Sequence, residues 1–527
     1  MKLYRAFFTV GGLTMVSRVF GFIRDILFAW AFGSGWVADA FNVAFRFPNL
    51  FRRLFGEGAF NSAFIPLFAK KLESEGKEAA RAFAEEAMAG LLLVLTVLSV
   101  VAIIGMPWLM YLLAPGFAAN KEKFDLAVLL TQIAFPYLLC MSLVALMSGV
   151  LNSLGRFAES SGVSIVLNLT LTVAIFIGFA LGFHNEPGGG VIQAMGVFVA
   201  GLLQLALLMD GLRRAGFRLG LRRPKWTEGI SRLVSLGVPG VISGGVTQIN
   251  IMIGTMIASL EAGAVSQLYY ADRLYELPLA IVGIAIGVVL LPDVSRHLRS
   301  GNEAAVMDSQ NRSLELALLL TVPASVALAV VPVEIIRVLF ERGAFKPSDT
   351  AATASALAIF AWGLPAFVMI KVFSPAYFAR EDTKTPMRFA TVSLLANTVG
   401  SVGLFFLFRW LGLLPQLGIA LASALAGWLN AGLLWSTLVE RGHFLADARC
   451  RRALPLIALA SVAMGTCLWL GAGLLAPWLA SSQALWTKTG ALALLVCGAM
   501  LVYGIIVAAT GVLRMSMFRQ PRVKATG

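Results

Sequence analysis

Long apolar segments separated by short polar stretches recur along the whole chain. About 20 consecutive apolar residues suffice for an α-helix to cross the hydrocarbon core of a bilayer, and segments of this length predict about 14 membrane-spanning helices. They cover residues 10–33, 39–68, 87–113, 126–151, 161–183, 191–212, 233–259, 266–292, 314–339, 352–379, 387–408, 416–439, 453–475 and 488–512. The pattern predicts an all-α polytopic membrane protein.

Composition supports this prediction. The chain has 527 residues, of which 58% are hydrophobic and only 13% charged, and its mean hydropathy is +0.83. Soluble domains are about 25% charged and clearly less apolar. The composition therefore excludes a soluble globular protein.

The net charge of +14 depends on where the basic residues lie. If the N-terminus is cytoplasmic, the loops that then face the cytoplasm carry most of the Lys and Arg residues, and residues 212–226 (LRRAGFRLGLRRPKW) form the richest of them. Such a bias orients a membrane protein with its basic loops inside. It predicts cytoplasmic termini and attraction of anionic membrane lipids, and it gives no reason to expect nucleic acid as a partner.

An internal repeat divides the chain. Shifting the sequence by about 227 positions places DAFNVAFR, which ends at Arg46, over SQLYYADR, which ends at Arg273. Further matching pairs are Pro66 and Pro292, Gly116 and Gly343, Phe117 and Phe345, Pro136 and Pro365, and Asn168 and Asn397. Each copy holds six predicted helices, so the copies are parallel repeats about a pseudo-twofold axis along the membrane normal. We predict lobes at residues 1–228 and 229–447, followed by two extra helices and a basic tail at 448–527.

The first two segments carry ionisable residues that a lipid-facing helix would not tolerate. They include Arg18, Arg24 and Asp25 in the first, and Asp39, Arg46, Arg52 and Glu57 in the second. One charged side chain at the bilayer centre costs about 2.5 to 3.5 kcal/mol. The arginines outnumber the acids, and guanidinium groups bind phosphate through paired hydrogen bonds. We therefore predict a central cationic cavity for an anionic substrate.

Helical spacing indicates which charges share a face. Arg18 and Asp25 lie seven positions apart, within about 20° of each other on a helix, and Arg46 follows Asp39 at the same spacing. Two alternatives stay open. The acids could form structural ion pairs between helices, and arginines such as Arg52 could extend their long side chains to the membrane interface.

Enzyme motifs are missing from the sequence. It has no glycine-rich phosphate loop, no aspartate-rich metal motif and only three histidines, and its four cysteines lack metal-ligand spacing. We expect a transporter with no catalytic residue, cofactor or bound metal. Transport would draw on the membrane potential, an ion gradient, or the supply and removal of substrate.

Four stretches resemble a known family: TMVSRVFGFIRD, DAFNVAFRFPNLFRRLFGEGAFNSAFIP, YYADRLYELP and AREDTKTP. They are similar to the MurJ (MviN) family of bacterial lipid II flippases, in the multidrug/oligosaccharidyl-lipid/polysaccharide exporter superfamily, over essentially the whole chain. The resemblance implies transport of lipid II, the undecaprenyl-diphosphate-linked disaccharide pentapeptide, across the inner membrane for peptidoglycan synthesis. It also implies two six-helix lobes around a V-shaped cavity with alternating access. A groove for the lipid tail on the last two helices, and partners among cell-wall synthesis proteins, are further implications.

The resemblance also implies which residues bind the substrate. The cavity residues of the family correspond here to Arg18, Arg24, Asp25, Asp39, Arg46, Arg52 and Arg273. Arg24 and Arg273, one from each lobe, would hold the diphosphate. Arg18 and Arg52 would raise the local positive potential.

The acids would act on these arginines. Asp25 and Asp39 would orient them and exchange partners during the transport cycle, because each end state must leave few buried charges unpaired. Glu57 is a further candidate gating acid. Some members of the superfamily hold a sodium ion or proton at acids within helices, but the segments 233–259 and 387–408 contain no Asp or Glu. A sodium site is therefore not expected there.

Other functions stay open at this point. A flippase for another polyprenyl-diphosphate-linked oligosaccharide would recognise the same diphosphate. A multidrug exporter of related fold would need acids in its cavity, which the surplus of arginines opposes. A membrane-embedded transferase would need an acidic metal motif, which the sequence lacks.

Overall fold

The protein is all helical. The computed structural model describes residues 2–52 and 59–512, with side chains at 11–50, 60–61, 63–238, 248–283 and 290–512. The α-helices of this part are α1 (Lys2–Phe32), α2 (Trp36–Arg52), α3 (Ala59–Ser74), α4 (Gly76–Ile104), α5 (Met106–Leu113), α6 (Lys121–Ala134), α7 (Tyr137–Ser153), α8 (Phe157–Ala180), α9 (Pro187–Arg214), α10 (Glu228–Ala258), α11 (Ala264–Arg299), α12 (Glu303–Val330), α13 (Pro332–Phe340), α14 (Pro347–Phe378), α15 (Lys384–Trp410), α16 (Gln416–Glu440), α17 (Ala448–Leu479) and α18 (Leu485–Ala509). The described residues form no strand. The predicted fold class is confirmed.

Ten helices of the described part are long and apolar enough to cross a membrane. They overlap ten of the predicted segments, and one of them combines α6 and α7. The other four predicted segments fall on α1, on α2 with α3, on α10 and on α11. The multi-pass character is thus confirmed, whereas the number of about 14 spans stays a prediction.

The chain forms two compact units. The first contains Met1–Ser266 together with Arg342–Lys346, and the second contains Gln267–Glu341 with Pro347–Gly527. Helix α10 therefore belongs to the first unit, although the repeat assigns it to the second lobe. The lobes predicted at 1–228, 229–447 and 448–527 rest on the sequence repeat and stay a prediction.

In the first unit, helix α7 forms the centre. Most of its side chains are buried, and it packs against α3, α4 and α9. Helix α1 packs against α8, α2 against α6, and α10 against α3. The charged helices α1 and α2 thus each pack against another helix of this unit.

In the second unit, α14 packs between α12, α13 and α16, and α15 covers α16. The C-terminal helices α17 and α18 form a pair that packs against α12 and α13. The hydroxyl of Tyr503 on α18 donates to the carbonyl O of Leu319 on α12 at 2.7 Å. The last two helices are therefore attached to this unit through a buried hydrogen bond as well as apolar packing.

Helix starts recur along the chain at the offset found in the sequence. Helix α4 begins at Gly76 and α12 at Glu303, while α8 begins at Phe157 and α15 at Lys384. Both pairs are separated by about 227 positions. The secondary structure thus agrees with the internal repeat.

Candidate functional site

Arg24 lies on α1 and is almost fully buried together with its neighbour Asp25, with exposures of 8% and 4%. Its Nη2 and Nε donate to Asp25 Oδ1 at 2.6 and 3.2 Å, and its Nη1 donates to Asn168 Oδ1 at 3.1 Å. An isolated charge is costly to bury. The carboxylate and the amide together offset that cost and fix the plane of the guanidinium.

Asn168 connects this arginine to α8. Its Nδ2 also donates to the carbonyl O of Ser17 at 3.0 Å, so one amide contacts two turns of α1. Gly21 permits the approach, because a Cβ at that position would lie 3.2 Å from Asn168 Nδ2. In the sequence, Asn168 stands out only as one of the residues that mark the repeat. The feature that could have indicated a functional role is its amide side chain in the mostly apolar helix α8.

Arg18 lies six residues before Arg24 on α1 and is exposed. Within the part of the chain that the structure describes, it has no hydrogen-bond or ion-pair partner. Spacing predicts one helical face for Arg18 and Asp25, but the structure exposes the first and buries the second. Arg18 therefore adds a positive charge that no described carboxylate balances.

Asp39, near the start of α2, is completely buried. Its Oδ2 accepts from Lys123 Nζ at 2.6 Å and from the Gly263 backbone N at 2.9 Å. Its Oδ1 accepts from the backbone N of Ser266 at 3.0 Å and from its Oγ at 2.8 Å. Four donors thus saturate the carboxylate, and α2 is bonded to α6 and to the start of α11.

Lys123 is the cation that sequence reasoning missed at this position. It falls between the predicted segments 87–113 and 126–151, but the structure places it in the first turn of α6, where Asn120 caps the helix by accepting from the Lys123 backbone N at 3.0 Å. Its Nζ also lies 4.1 Å from the centre of the Phe117 ring. A lysine near a helix start is usually exposed, so the sequence held no signal that this one is buried.

Arg46 on α2 is half-buried, and its Nη1 donates to the hydroxyl of Thr255 on α10. Thr255 Oγ1 in turn donates to the carbonyl O of Ile251 at 2.9 Å. Asp39, seven residues earlier, does not accept from Arg46. The structure therefore gives these two charges different partners: Asp39 binds Lys123, and the partners of Arg46 include the Thr255 hydroxyl.

Two glycines that the repeat pairs both make close backbone contacts. Gly116 donates its N–H to Ser259 Oγ at 3.1 Å, and a Cβ on Gly116 would overlap the Ser259 backbone. Gly343 has φ +60°, and a Cβ there would overlap the carbonyl O of Trp30. That carbonyl also accepts from the Ala344 N at 2.9 Å. In the first unit, therefore, each of these loops packs backbone to backbone on the end of a long helix.

Arg273 lies on α11 in the second unit and is partly exposed. Its Nη1 donates to Glu276 Oε2 at 3.3 Å, one helical turn away. Its guanidinium lies 4.9 Å from the centre of the Tyr269 ring, a distance at which a cation and an aromatic face attract each other. The side chain is thus held along its own helix by an acid and a ring.

Two predicted residues cannot be located. Arg52 ends α2, but its side chain lies outside the described residues, and Glu57 lies outside them entirely. Their assigned roles stay predictions from the sequence.

The stretch AREDTKTP forms a polar cap before α15. Asp382 accepts from the Thr385 backbone N at 3.0 Å, from Thr385 Oγ1 at 2.7 Å and from Arg441 Nη1 at 2.8 Å. The hydrogen bonds from Thr385, followed by those from Arg441, lower the pKa of Asp382 to about 2. This stretch therefore joins the loop before α15 to the end of α16 and has a structural role.

Metal-binding groups are sparse in the described part of the chain. No group of three or more His, Cys, Asp or Glu side chains lies close enough there to hold a metal ion. In the first unit the structure provides arginines on α1 and α2, of which Arg24 is oriented by the neighbouring Asp25. In the second unit Arg273 on α11 is paired with Glu276. An arginine oriented by an acid is suited to binding an anion through paired N–H groups.

Comparisons with known proteins agree on one family. The family model described as "Lipid II flippase MurJ" matches residues 28–489. A protein of Rhizobium tropici named "Probable lipid II flippase MurJ" is 47% identical over 522 residues, which covers 99% of this chain and 96% of that protein. A solved structure of lipid II flippase MurJ in an inward closed conformation is 25% identical, with a TM-score of 0.79 over 97% of this chain and 99% of that one.

A more distant likeness concerns the fold alone. An inward-facing multidrug resistance transporter of the MATE family is 16% identical, with a TM-score of 0.65 over 81% of this chain and 95% of that one. Family model and relative both span far more than half of this chain. The chain therefore belongs to the lipid II flippase MurJ family, whose members are transporters and not enzymes.

Proposed function

We propose that this chain moves lipid II from the inner to the outer leaflet of the bacterial cytoplasmic membrane, for peptidoglycan synthesis. Membership of the MurJ family over nearly the full chain supports the proposal. The protein would act by alternating access, with both termini in the cytoplasm. The bias of basic residues toward one set of loops favours that orientation.

The buried Arg24 carries this proposal. Asp25 and Asn168 hold its guanidinium in one plane, and the exposed Arg18 adds positive charge on the same helix. A diphosphate offers several acceptor oxygens, and arginine binds such groups with two parallel hydrogen bonds. We assign Arg24 to the diphosphate and Arg18 to the local potential that attracts it.

The other predicted residues take graded roles. Arg273 is proposed as a second diphosphate ligand, supported by its correspondence to the family, and Arg46 and Arg52 as cations that strengthen the local field. Asp25 orients Arg24. For Asp39 we propose a locking role through Lys123, since all four of its donors come from the protein.

Energy for transport is proposed to come from the membrane potential or an ion gradient. With the cell interior negative, outward movement of a negative head group is favourable by about 2.3 kcal/mol per charge per 100 mV. Proteins of cell-wall synthesis are proposed partners, because they consume lipid II in the outer leaflet.

The test is depletion of the protein in its host, followed by an assay of which leaflet holds lipid II. Accumulation on the cytoplasmic side followed by lysis is expected. Unchanged lipid II distribution in a cell without another flippase would contradict the proposal. If a different polyprenyl-diphosphate-linked sugar accumulates instead, that molecule and not lipid II is the substrate.

A further inference from the structure

We propose that the first unit binds an anionic diacyl phospholipid in a groove between α4, α7 and α9, separate from the arginines of α1 and α2. The groove has a volume of about 550 Å³, within the usual range of ligand sites. Its floor is apolar and consists of Met88, Leu92, Leu143, Met147, Leu205 and Met209. This is the chemistry of an acyl-chain site.

One end of the groove is basic. Arg213, in the last turn of α9, and Arg218, in the loop that follows, line it together with the apolar residues Leu219 and Leu221. A groove that is apolar along its length and cationic at one end matches a molecule with a hydrocarbon body and an anionic head. Basic pockets between helices at the membrane surface bind phospholipid head groups in this way.

These two arginines differ from two of their neighbours in the chain. Arg214 forms an ion pair with Asp210 at 2.7 Å, and Arg222 forms one with Glu85 at 2.5 Å. Arg213 and Arg218, in contrast, have no hydrogen-bond or ion-pair partner among the residues that the structure describes. Arg214 and Arg222, which do not line the groove, are thus paired with acids, whereas the two arginines that line it stay available to an external anion.

The loop that carries Arg218 is fixed in place. Glu85 accepts from the Gly220 backbone N at 2.7 Å and also binds Arg222. Phe217 is buried and packs edge-on against Phe68, with ring centres 5.7 Å apart. Arg218 therefore lies between two anchored positions, so the basic end of the groove is a built feature of the fold.

The surroundings favour a lipid over a soluble anion. Leu221 and Trp226 are 78% and 75% exposed on this loop, and tryptophan is enriched where protein meets the membrane interface. A soluble phosphate would leave the apolar floor uncovered. A phospholipid with a net negative head group satisfies both ends, whereas phosphatidylcholine also brings a cation to the arginines.

The proposal can be tested by native mass spectrometry on the delipidated full chain, titrated with phosphatidylglycerol or phosphatidylcholine of identical acyl chains. We expect tighter binding of phosphatidylglycerol. The double variant Arg213→Gln, Arg218→Gln should weaken that binding about tenfold, since it removes two charge-assisted contacts. The control Arg214→Gln, Arg223→Gln removes the same charge from the end of α9 and the loop that follows, at two residues that do not line the groove, and it should change the affinity less than about twofold.

A second variant tests the groove itself. Leu205→Trp fills the apolar floor while both arginines remain, and it should also lower phosphatidylglycerol binding. Equal loss in both double variants would reveal non-specific attraction and overturn the proposal. So would wild-type affinity in either Arg213→Gln, Arg218→Gln or Leu205→Trp, or loss that occurs only in Arg18→Gln, which would locate the lipid at the other cationic site.

Discussion

Asp39 and Arg24 are both buried charges in the first unit, yet they are satisfied in different ways. Asp39 accepts four hydrogen bonds from Lys123, Gly263 and Ser266. Arg24 is oriented by Asp25 and Asn168 on one edge, and the uncompensated charge of Arg18 lies on the same helix. The carboxylate is closed off by protein, whereas the arginine lies in a region with a surplus of positive charge.

The difference distinguishes a structural lock, meaning an ion pair that holds helices together, from a site that binds substrate. A saturated buried ion pair joins helices, and removing one partner leaves the other charge buried without a counter-charge. An oriented guanidinium and a second cation that no carboxylate balances create a positive potential, and this potential attracts an anion from outside the protein. Substitutions at Asp39 should therefore appear mainly in stability, and neutralisation at Arg24 mainly in substrate binding.

The largest effect, a loss of folding stability, is expected for Asp39→Asn. It leaves the buried Lys123 without its counter-charge, and the free energy of unfolding should fall by about 3 kcal/mol. Thermal unfolding of the purified protein measures this. The second-site change Lys123→Met removes the stranded charge and should restore most of the lost stability. A double variant as unstable as Asp39→Asn alone would show that the ion pair is not the lock.

The next largest effect, on lipid II binding, is expected for the neutral double variant Arg24→Gln, Asp25→Asn, which removes both members of this ion pair together. We expect lipid II affinity to fall about 100-fold, because two charge-assisted hydrogen bonds to phosphate are lost, while the melting temperature changes little. Binding of lipid II to the purified protein provides the measurement. The control Arg409→Ala removes an exposed arginine at the end of α15 and should bind normally.

A smaller effect, a decrease in the melting temperature, is expected for Gly343→Ala. The φ of +60° at this position costs an L-residue about 1 kcal/mol, and the new Cβ would also overlap the carbonyl of Trp30. Gly301→Ala is the matched control, since Gly301 has φ +67° and nothing within 4 Å of an added Cβ. Equal melting temperatures for the two variants would argue against a tight contact at Gly343.

The smallest effect concerns Asp382→Ala, which removes a helix cap and should cost about 1 kcal/mol at neutral pH. The pKa of about 2 in the folded protein lies below the value of about 3.9 in an unfolded chain. The carboxylate therefore stabilises the fold above about pH 4, and this contribution disappears as the pH falls towards 2. The stability difference between wild type and variant should shrink over that interval, and a constant difference would contradict the assignment.

The sequence predicted the fold class because apolar length alone identifies helices that can cross a membrane. It also singled out Arg24 and Asp25 as candidate site residues, since charges within an apolar segment stand out, and their roles in transport stay predictions. It could not predict Asn168 as a partner, because the contact joins residues far apart in the chain. The pairing of Asp39 was missed for the same reason, and helical spacing favoured the residues of its own helix instead.

Spacing along a helix was a weak guide to environment. Arg18 and Asp25 share a heptad position, but one is exposed and the other buried. The glycines at 116 and 343 were visible as a repeat. Their close backbone contacts became evident only in three dimensions.

The most direct test of the central claim is the leaflet distribution of lipid II in cells that depend on the Arg24→Gln, Asp25→Asn protein, measured alongside its melting temperature. We predict accumulation of lipid II in the inner leaflet, with a melting temperature within about 2 °C of wild type. Normal export of lipid II would contradict the assignment of Arg24 to the diphosphate. A melting temperature as low as that of Asp39→Asn would show that Arg24, too, is a structural lock.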